Sequence, residues 1–190
     1  MYRIQTLNNI SPDALETLRK SELYEVSSDI SSPNAILLRS ANLHSQEFDE
    51  NLCCIVRAGA GTNNIPVDRC SEEGIVVFNT PGANANAVKE LVICALLLSS
   101  RDVIGGIDWV KTLSGKGDEV TKLVEKGKSS FAGPELMGKT LGIIGLGAIG
   151  GMVANAATYL GMNALGCDPY LSVKGAWGLS RSVSYAPDYN

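Results

Sequence analysis

Thr140-Leu141-Gly142-Ile143-Ile144 is a short β-prone apolar run, and Gly145-Leu146-Gly147-Ala148-Ile149-Gly150 follows it without a spacer. Met152 to Tyr159 then has helical spacing, with Val153, Ala156, Ala157 and Leu160 on one side, and Asn163 to Cys167 reads as a second strand ending at Asp168. Strand, glycine turn, helix, strand and acid arrive in the order that a dinucleotide-binding βαβ unit requires. Gly145 permits the sharp turn, Gly147 lets the backbone approach a pyrophosphate, and Gly150 lets helix and strand pack closely. The helix N-terminus that follows offers free N–H donors and a positive dipole end to phosphates. Asp168 stands 18 residues past Gly150 at a strand tip. There a carboxylate accepts ribose hydroxyls and repels a 2′-phosphate, which favours NAD over NADP.

Composition narrows the class of protein around that unit. Sixteen Lys and Arg against twenty Asp and Glu give a formal charge of −4, so no basic surplus exists to neutralise a nucleic-acid backbone. The longest apolar run, Leu91 to Leu98, is eight residues, far below the about 18 that cross a bilayer. Met1 to Ser11 lacks the apolar stretch of a secretion signal. The five cysteines (53, 54, 70, 94 and 167) include no Cys-x-x-Cys pair, and four lie in apolar stretches, so buried reduced thiols are expected. A metal site is not expected, because His44 is the single histidine and has no partner ligand near it in sequence. Together these features predict a cytoplasmic, soluble α/β protein with a small-molecule ligand, without nucleic-acid or membrane partners.

Upstream, Ser11-Pro12-Asp13 ahead of Ala14, Leu15 and Leu18 is a helix start. Strands are expected near Tyr24–Val26, Ala35–Leu38, Leu52–Val56 and Ile75–Phe78, with a short helix over Pro66–Glu73. Unbroken apolar strands alternating with helices predict a parallel sheet covered on both faces. From about Asn84 to Leu113 one helix is predicted, with Asn84 or Asn86 as its cap. Its apolar residues run nearly all round through Leu91 to Leu98, which predicts burial at a domain or subunit interface. Ser114 to Gly138 is polar and glycine-rich and reads as a solvated connection with one helical turn. Gly175 to Asn190 reads as a loop or an interrupted short helix.

Arg39 and Arg57 each follow a predicted strand, at the ends where open parallel sheets bind ligands. Two guanidiniums there suit a small anionic substrate. After Arg57, Ala58-Gly59-Ala60-Gly61-Thr62 can curl its N–H groups into an anion nest. A single arginine at a strand end is most often a surface ion-pair residue, so Arg39 alone stays open, whereas Arg57 is joined to the glycine turn.

Four stretches carry a family resemblance in order along the chain: Leu38-Arg39-Ser40, Arg57-Ala58-Gly59-Ala60-Gly61-Thr62-Asn63-Asn64, Asn79-Thr80-Pro81-Gly82, and Glu135 through Gly147. By them the chain resembles the D-isomer-specific 2-hydroxyacid dehydrogenases, and among these the members that act on D-3-phosphoglycerate. The glycine fingerprint is shared widely, but the Arg-Ala-Gly-x-Gly and Asn-Thr-Pro segments are particular. The resemblance implies a flavodoxin-like or Rossmann-like substrate lobe over residues 1–85, followed by the first part of a Rossmann dinucleotide-binding lobe over residues 86–190, with the active site in the cleft between lobes. It implies substrate binding by Arg39, Arg57 and the N–H groups of Ala58 and Gly59. Ala60 is implied beside the nicotinamide, and Gly145, Gly147, Ala148, Ile149, Gly150 and Asp168 as contacts of NAD. The implied reaction oxidises 3-phosphoglycerate to 3-phosphohydroxypyruvate, the entry to serine synthesis, in a homodimer or homotetramer. Gly82-Ala83-Asn84 departs from the family's Asn-Gly-Asn or Gly-Gly-Asn turn but keeps the final Asn.

The family's catalytic Arg, Glu and His have no counterpart here, since His44 lies in Asn42-Leu43-His44-Ser45-Gln46, a surface polar segment of the substrate lobe. A six-strand dinucleotide fold also needs several βαβ units at about 30 residues each. The chain therefore reads as truncated and inactive alone, with its catalytic residues expected beyond Asn190. Two other functions stay open. One is another 2-hydroxyacid dehydrogenase, such as a hydroxypyruvate or glyoxylate reductase. The other is a non-catalytic NAD-binding interaction module, beside the plainer option of a remnant that folds only with its missing half.

Overall fold

The structure is a computed structural model that describes residues 1–188. Tyr189 and Asn190, the last positions of the expected second lobe and tail, lie outside the described residues. The chain divides into two compact units, Met1–Asn84 and Ala85–Asn190.

The first unit runs β1 (Tyr2–Leu7), α1 (Pro12–Arg19), β2 (Tyr24–Ser27), β3 (Ala35–Leu38), β4 (Cys54–Arg57), α2 (Val67–Glu72) and β5 (Val76–Asn79). All five strands are parallel, in the order β2-β1-β3-β4-β5. β1 is the strand that composition hid: Arg3 and Gln5 interrupt its apolar residues, although Tyr2, Ile4 and Thr6 alternate with them as a strand requires. The side chains of β3 and β4 divide by parity. Ile36, Leu38 and Ile55 are buried on one face with Leu43, Leu52, Ile65, Cys70 and Ile75, which form the core.

The opposite face departs from the expected two-sided cover. Ala35, Leu37, Cys54 and Val56 line an open apolar groove with Tyr2 and Leu18, of about 400 Å³. Val76 and Phe78, paired in register with Cys54 and Val56, are 52% and 53% exposed. The physical reason is the shortage of helices. α2 and the loop cores serve one face, while α1 has eight residues and none of them is buried.

The second unit begins with α3 (Ala85–Ser100) and α4 (Val103–Lys111). A single helix was expected here, but Asp102 caps a new one, its Oδ1 accepting the Gly105 N–H at 2.9 Å. Within its unit α3 is buried at Ala85 only, and Leu91 is 69% exposed. The polar connection holds more helix than one turn: α5 (Val120–Gly127), followed by a 3-10 turn whose Phe131 stacks on Trp109 at 5.1 Å.

The chain then forms β6 (Thr140–Ile144), α6 (Gly150–Tyr159), β7 (Asn163–Cys167), α7 (Val173–Trp177) and β8 (Val183–Tyr185). These strands are parallel in the order β6-β7-β8. β8 is the third strand of this sheet, in a segment read as a loop. Leu146, Ala154, Ala157, Met162 and Ala164 form the core between sheet and helix.

The cysteine expectation needs adjusting, whereas His44 is exposed as expected. Only Cys70 and Cys167 are buried, whereas Cys54 is half-buried and Cys53 and Cys94 are exposed. Burial pushes the Cys54 and Cys70 thiols up. His44 sits in an exposed turn, with Nε2 3.0 Å from the Asn63 carbonyl oxygen. Among the described residues no helix is long and apolar enough to cross a membrane, and no cluster of metal-ligating side chains occurs.

Asn8, directly after β1, is the one described non-glycine residue with positive φ, at 68°. Its Oδ1 accepts the N–H groups of Ser40 at 3.0 Å and Ala41 at 2.6 Å. One side chain thereby ties the end of β1 to the end of β3. Asn8→Ala loses both bonds and keeps a strained backbone, so it should lower the unfolding free energy of the chain by about 2–3 kcal/mol. Asn8→Gly loses the bonds without the strain and should cost about 1 kcal/mol less. Urea unfolding of the two variants checks the difference.

Candidate functional site

Two clusters of chemically capable groups occur, one in each unit. The first surrounds the turn between β6 and α6. Gly145 has φ of 89°, a conformation that L side chains rarely adopt, and it reverses the chain at the end of β6. A Cβ on Gly150 would strike the Gly145 carbonyl oxygen, so the helix can start where it does only with glycine at that position. Gly147 differs, because a Cβ there would meet no atom within 4 Å. Its backbone faces open space.

The N–H groups of Gly147, Ala148 and Ile149 find no acceptor among the described residues. They stand ahead of a ten-residue helix with no acid in its first turn. Free donors at a helix N-terminus, beside a backbone nothing crowds, fit a phosphate-bearing ligand. A cavity of about 510 Å³ opens there, lined by Gly147, Ala148, Asp168 and Lys174 among others.

Asp168 follows β7 and does more than wait for a ligand. Its Oδ2 accepts the Leu146 N–H at 2.8 Å and its Oδ1 accepts the Tyr170 N–H at 2.9 Å. The carboxylate therefore pins the glycine turn to the adjacent strand. Each oxygen keeps lone-pair capacity for a hydroxyl, so both tasks are compatible. Gly166 is a residue that motif reading overlooked. A Cβ on it would lie 2.7 Å from the Leu146 side chain, so this glycine makes the space in which Leu146 anchors the turn. Its position two residues before the acid was the available signal.

The second cluster lies at the carboxyl ends of β3, β4 and β5. A cavity of about 400 Å³ there is lined by Arg39, Ala58 and Gly59 together with Asn9, Ser11 and Asn84 among others. None of its lining residues is acidic, and Arg39 forms no ion pair among the described residues. Arg39 is exposed, and an arginine without a carboxylate partner at such a cavity favours an anion.

Two expected anion contacts behave differently. Arg57 does not line this cavity. Its Nε donates to the Arg39 carbonyl at 3.0 Å and its Nη1 to Asn63 Oδ1 at 3.2 Å, and the guanidinium lies behind Gly59 and Gly61. It braces the loop through these two bonds. The N–H groups of Ala58 and Gly59 are also taken, by Leu38 O at 2.8 Å and Arg57 O at 2.9 Å, so the expected nest at these two residues is closed. Strand pairing and the tight turn claim these donors first. Ala60 is exposed, and its carbonyl accepts the Asn79 amide at 2.6 Å.

Comparison with known proteins gives a consistent picture. Residues 4–166 match the family model described as D-isomer specific 2-hydroxyacid dehydrogenase, catalytic domain. A hydroxypyruvate reductase of Thermotoga maritima is 35% identical over 88% of this chain and 56% of its own length. A D-3-phosphoglycerate dehydrogenase of Methanocaldococcus jannaschii is 36% identical over 81% of this chain and 27% of its own length. The chain thus spans between a quarter and about half of these relatives. Among solved structures, a glyoxylate reductase from Paecilomyes thermophila superimposes with a TM-score of 0.71 at 22% identity, covering 97% of this chain and 60% of that one. An NADPH-dependent glyoxylate/hydroxypyruvate reductase from Sinorhizobium meliloti gives 0.74 at 21% identity, covering 99% and 59%.

The two glycines of the turn should separate structure from binding. Gly150→Ala forces a methyl onto the Gly145 backbone and should destabilise the second unit by about 1–3 kcal/mol. Gly147→Ala meets nothing in the free protein, so its melting temperature should stay within error while dinucleotide binding falls at least tenfold. Thermal unfolding with and without dinucleotide checks both.

Proposed function

Because the chain belongs to the D-isomer specific 2-hydroxyacid dehydrogenases, we propose that it holds NAD at the Gly145–Gly150 turn and an anionic 2-hydroxyacid in the Arg39 cavity. In the whole protein the substrate is D-3-phosphoglycerate, which is oxidised to 3-phosphohydroxypyruvate. The family is one of NAD(P)-dependent dehydrogenases.

In this reading Gly147, Ala148 and Ile149 present N–H groups to the pyrophosphate, with Gly145 and Gly150 shaping the turn. Asp168 takes ribose hydroxyls with the lone pairs left over from Leu146 and Tyr170. Its negative charge supports NAD over NADP by repelling a 2′-phosphate. Bound NAD supplies the chemistry of hydride acceptance from the carbinol carbon. The chain's own contribution to the substrate is Arg39, which draws the phosphate or carboxylate end, with Ala58 and Gly59 as cavity wall. Arg57 serves as a positioning residue, because its bond to the Arg39 carbonyl fixes the backbone that carries the cation.

The observation that carries the substrate assignment is the unpaired Arg39 in a cavity without acids. A phosphorylated acid carries two anionic groups and gains most from it. The second reading, a reductase of hydroxypyruvate or glyoxylate, draws on the turning away of Arg57, which leaves a single guanidinium in the cavity. His44 lines neither cavity. In this reading His44 is not the proton-transferring group, and the chain should bind both ligands without reducing NAD.

Calorimetric titration tests the proposal. NAD should bind, and NADP at least tenfold more weakly. Asp168→Ala should weaken NAD by about tenfold or more, and Arg39→Ala should weaken 3-phosphoglycerate by about tenfold or more. Equal binding of 3-phosphoglycerate to Arg39→Ala and the unaltered chain would remove the substrate assignment. Equal binding of NAD and NADP would remove the cofactor preference.

A further inference from the structure

The β1–α1 loop lines the Arg39 cavity through Asn9, Ile10 and Ser11, and Ser11 is exposed. Ser11 occupies the position before α1 where a serine ordinarily caps the helix, yet its side chain makes no capping hydrogen bond. No other hydrogen bond engages the Ser11 hydroxyl among the described residues. Ser11 lines the cavity that Arg39 and Gly59 line, together with Asn9 and Asn84. Asn84 makes no hydrogen bond with its side chain either.

The arrangement is held in register by Asn8. Its double acceptor contact to Ser40 and Ala41 brackets the loop after Arg39, so residues 9–11 and Arg39 are joined through one side chain. Arg39, Ser11, Asn9 and Asn84, all exposed, thus border one cavity that no carboxylate lines. This donor set suits a tetrahedral dianion, whose three terminal oxygens take several donors from different directions. A planar carboxylate is satisfied by Arg39 alone in bidentate fashion and leaves Ser11 without work.

We infer that Ser11 is a specificity-determining residue, its hydroxyl donating to a phosphate ester whose charge Arg39 balances. The assignment rests on the reading that the Arg39 cavity receives the anionic end of the substrate, and it specifies which anion. Ser11 selects phosphorylated over unphosphorylated 2-hydroxyacids of the same carbon skeleton.

The test compares D-3-phosphoglycerate with D-glycerate, by calorimetric binding to the full chain and two variants. The unaltered chain should prefer the phosphorylated acid. Ser11→Ala should reduce that preference by about tenfold. Thr17→Ala lies on the same helix, outside the cavity, and should keep it. Because Ser11 caps nothing, Ser11→Ala should also retain the melting temperature of the unaltered chain, a result that a purely structural serine would not give. If Ser11→Ala keeps the full preference while Arg39→Ala loses affinity, the inference about Ser11 falls and the cavity assignment stands. If the unaltered chain binds neither acid at millimolar concentration, the cavity assignment fails and takes the Ser11 inference with it.

Discussion

The Asp168 carboxylate holds the second unit's site together from the side of β7. One oxygen takes the Leu146 N–H and the other takes the Tyr170 N–H. Leu146 in turn drives its side chain into the core beside Ala154 and Ala164, in the space that Gly166 leaves open. The glycine turn is thereby fastened at its middle, by a charge-assisted hydrogen bond above and a buried leucine below. With Leu146 fixed, Gly147 to Ile149 project their N–H groups outward and Gly150 starts the helix against the Gly145 carbonyl. A turn made of glycines would otherwise sample many conformations, at an entropic cost to any ligand that must order it. Fastening it in advance gives a flexible sequence one fixed backbone conformation.

The first unit solves the same problem by different means. Its loops after β1, β3, β4 and β5 are each tied to a neighbour by a polar side chain. Asn8 joins the loop after β1 to the loop after β3. Arg57 joins the loop after β4 to the carbonyl of Arg39, and Asn79 joins the loop after β5 to Ala60. These crossties run along the carboxyl edge of the parallel sheet, where ligands of open α/β folds bind. Arg39 is left as the cation without a partner because Arg57 has taken the bracing task. The apolar groove on the opposite sheet face belongs to a different part of the unit and shares none of these residues.

The dinucleotide unit was legible because its requirements are local. A positive-φ turn, a close helix–strand contact and an acid at a strand tip each demand one residue type at one spacing, and Gly145, Gly150 and Asp168 supply them. The strands β3, β4 and β5 were legible from continuous apolar runs. β1 escaped because Arg3 and Gln5 dilute its pattern, and β8 because Ser182, Ser184 and Pro187 surround its few β-prone residues. Side-chain direction was the harder matter. A sequence places Arg57 at a strand end but cannot show that the Arg39 carbonyl and Asn63 claim its guanidinium. Likewise, Ala58 and Gly59 look like free donors until strand pairing and the tight turn consume them. Ser11 was read as a helix cap, and only the missing capping bond reveals a hydroxyl left over.

The proposed function rests above all on the free amides of Gly147, Ala148 and Ile149, which in that reading bind a pyrophosphate. Nuclear magnetic resonance of the 15N-labelled chain, titrated with NAD, measures those amides one by one. The account predicts that these three resonances shift saturably and together, while those of Ile36 and Ile55 in the first unit's core stay in place. Stationary Gly147, Ala148 and Ile149 resonances at millimolar NAD, with the chain folded, would contradict it.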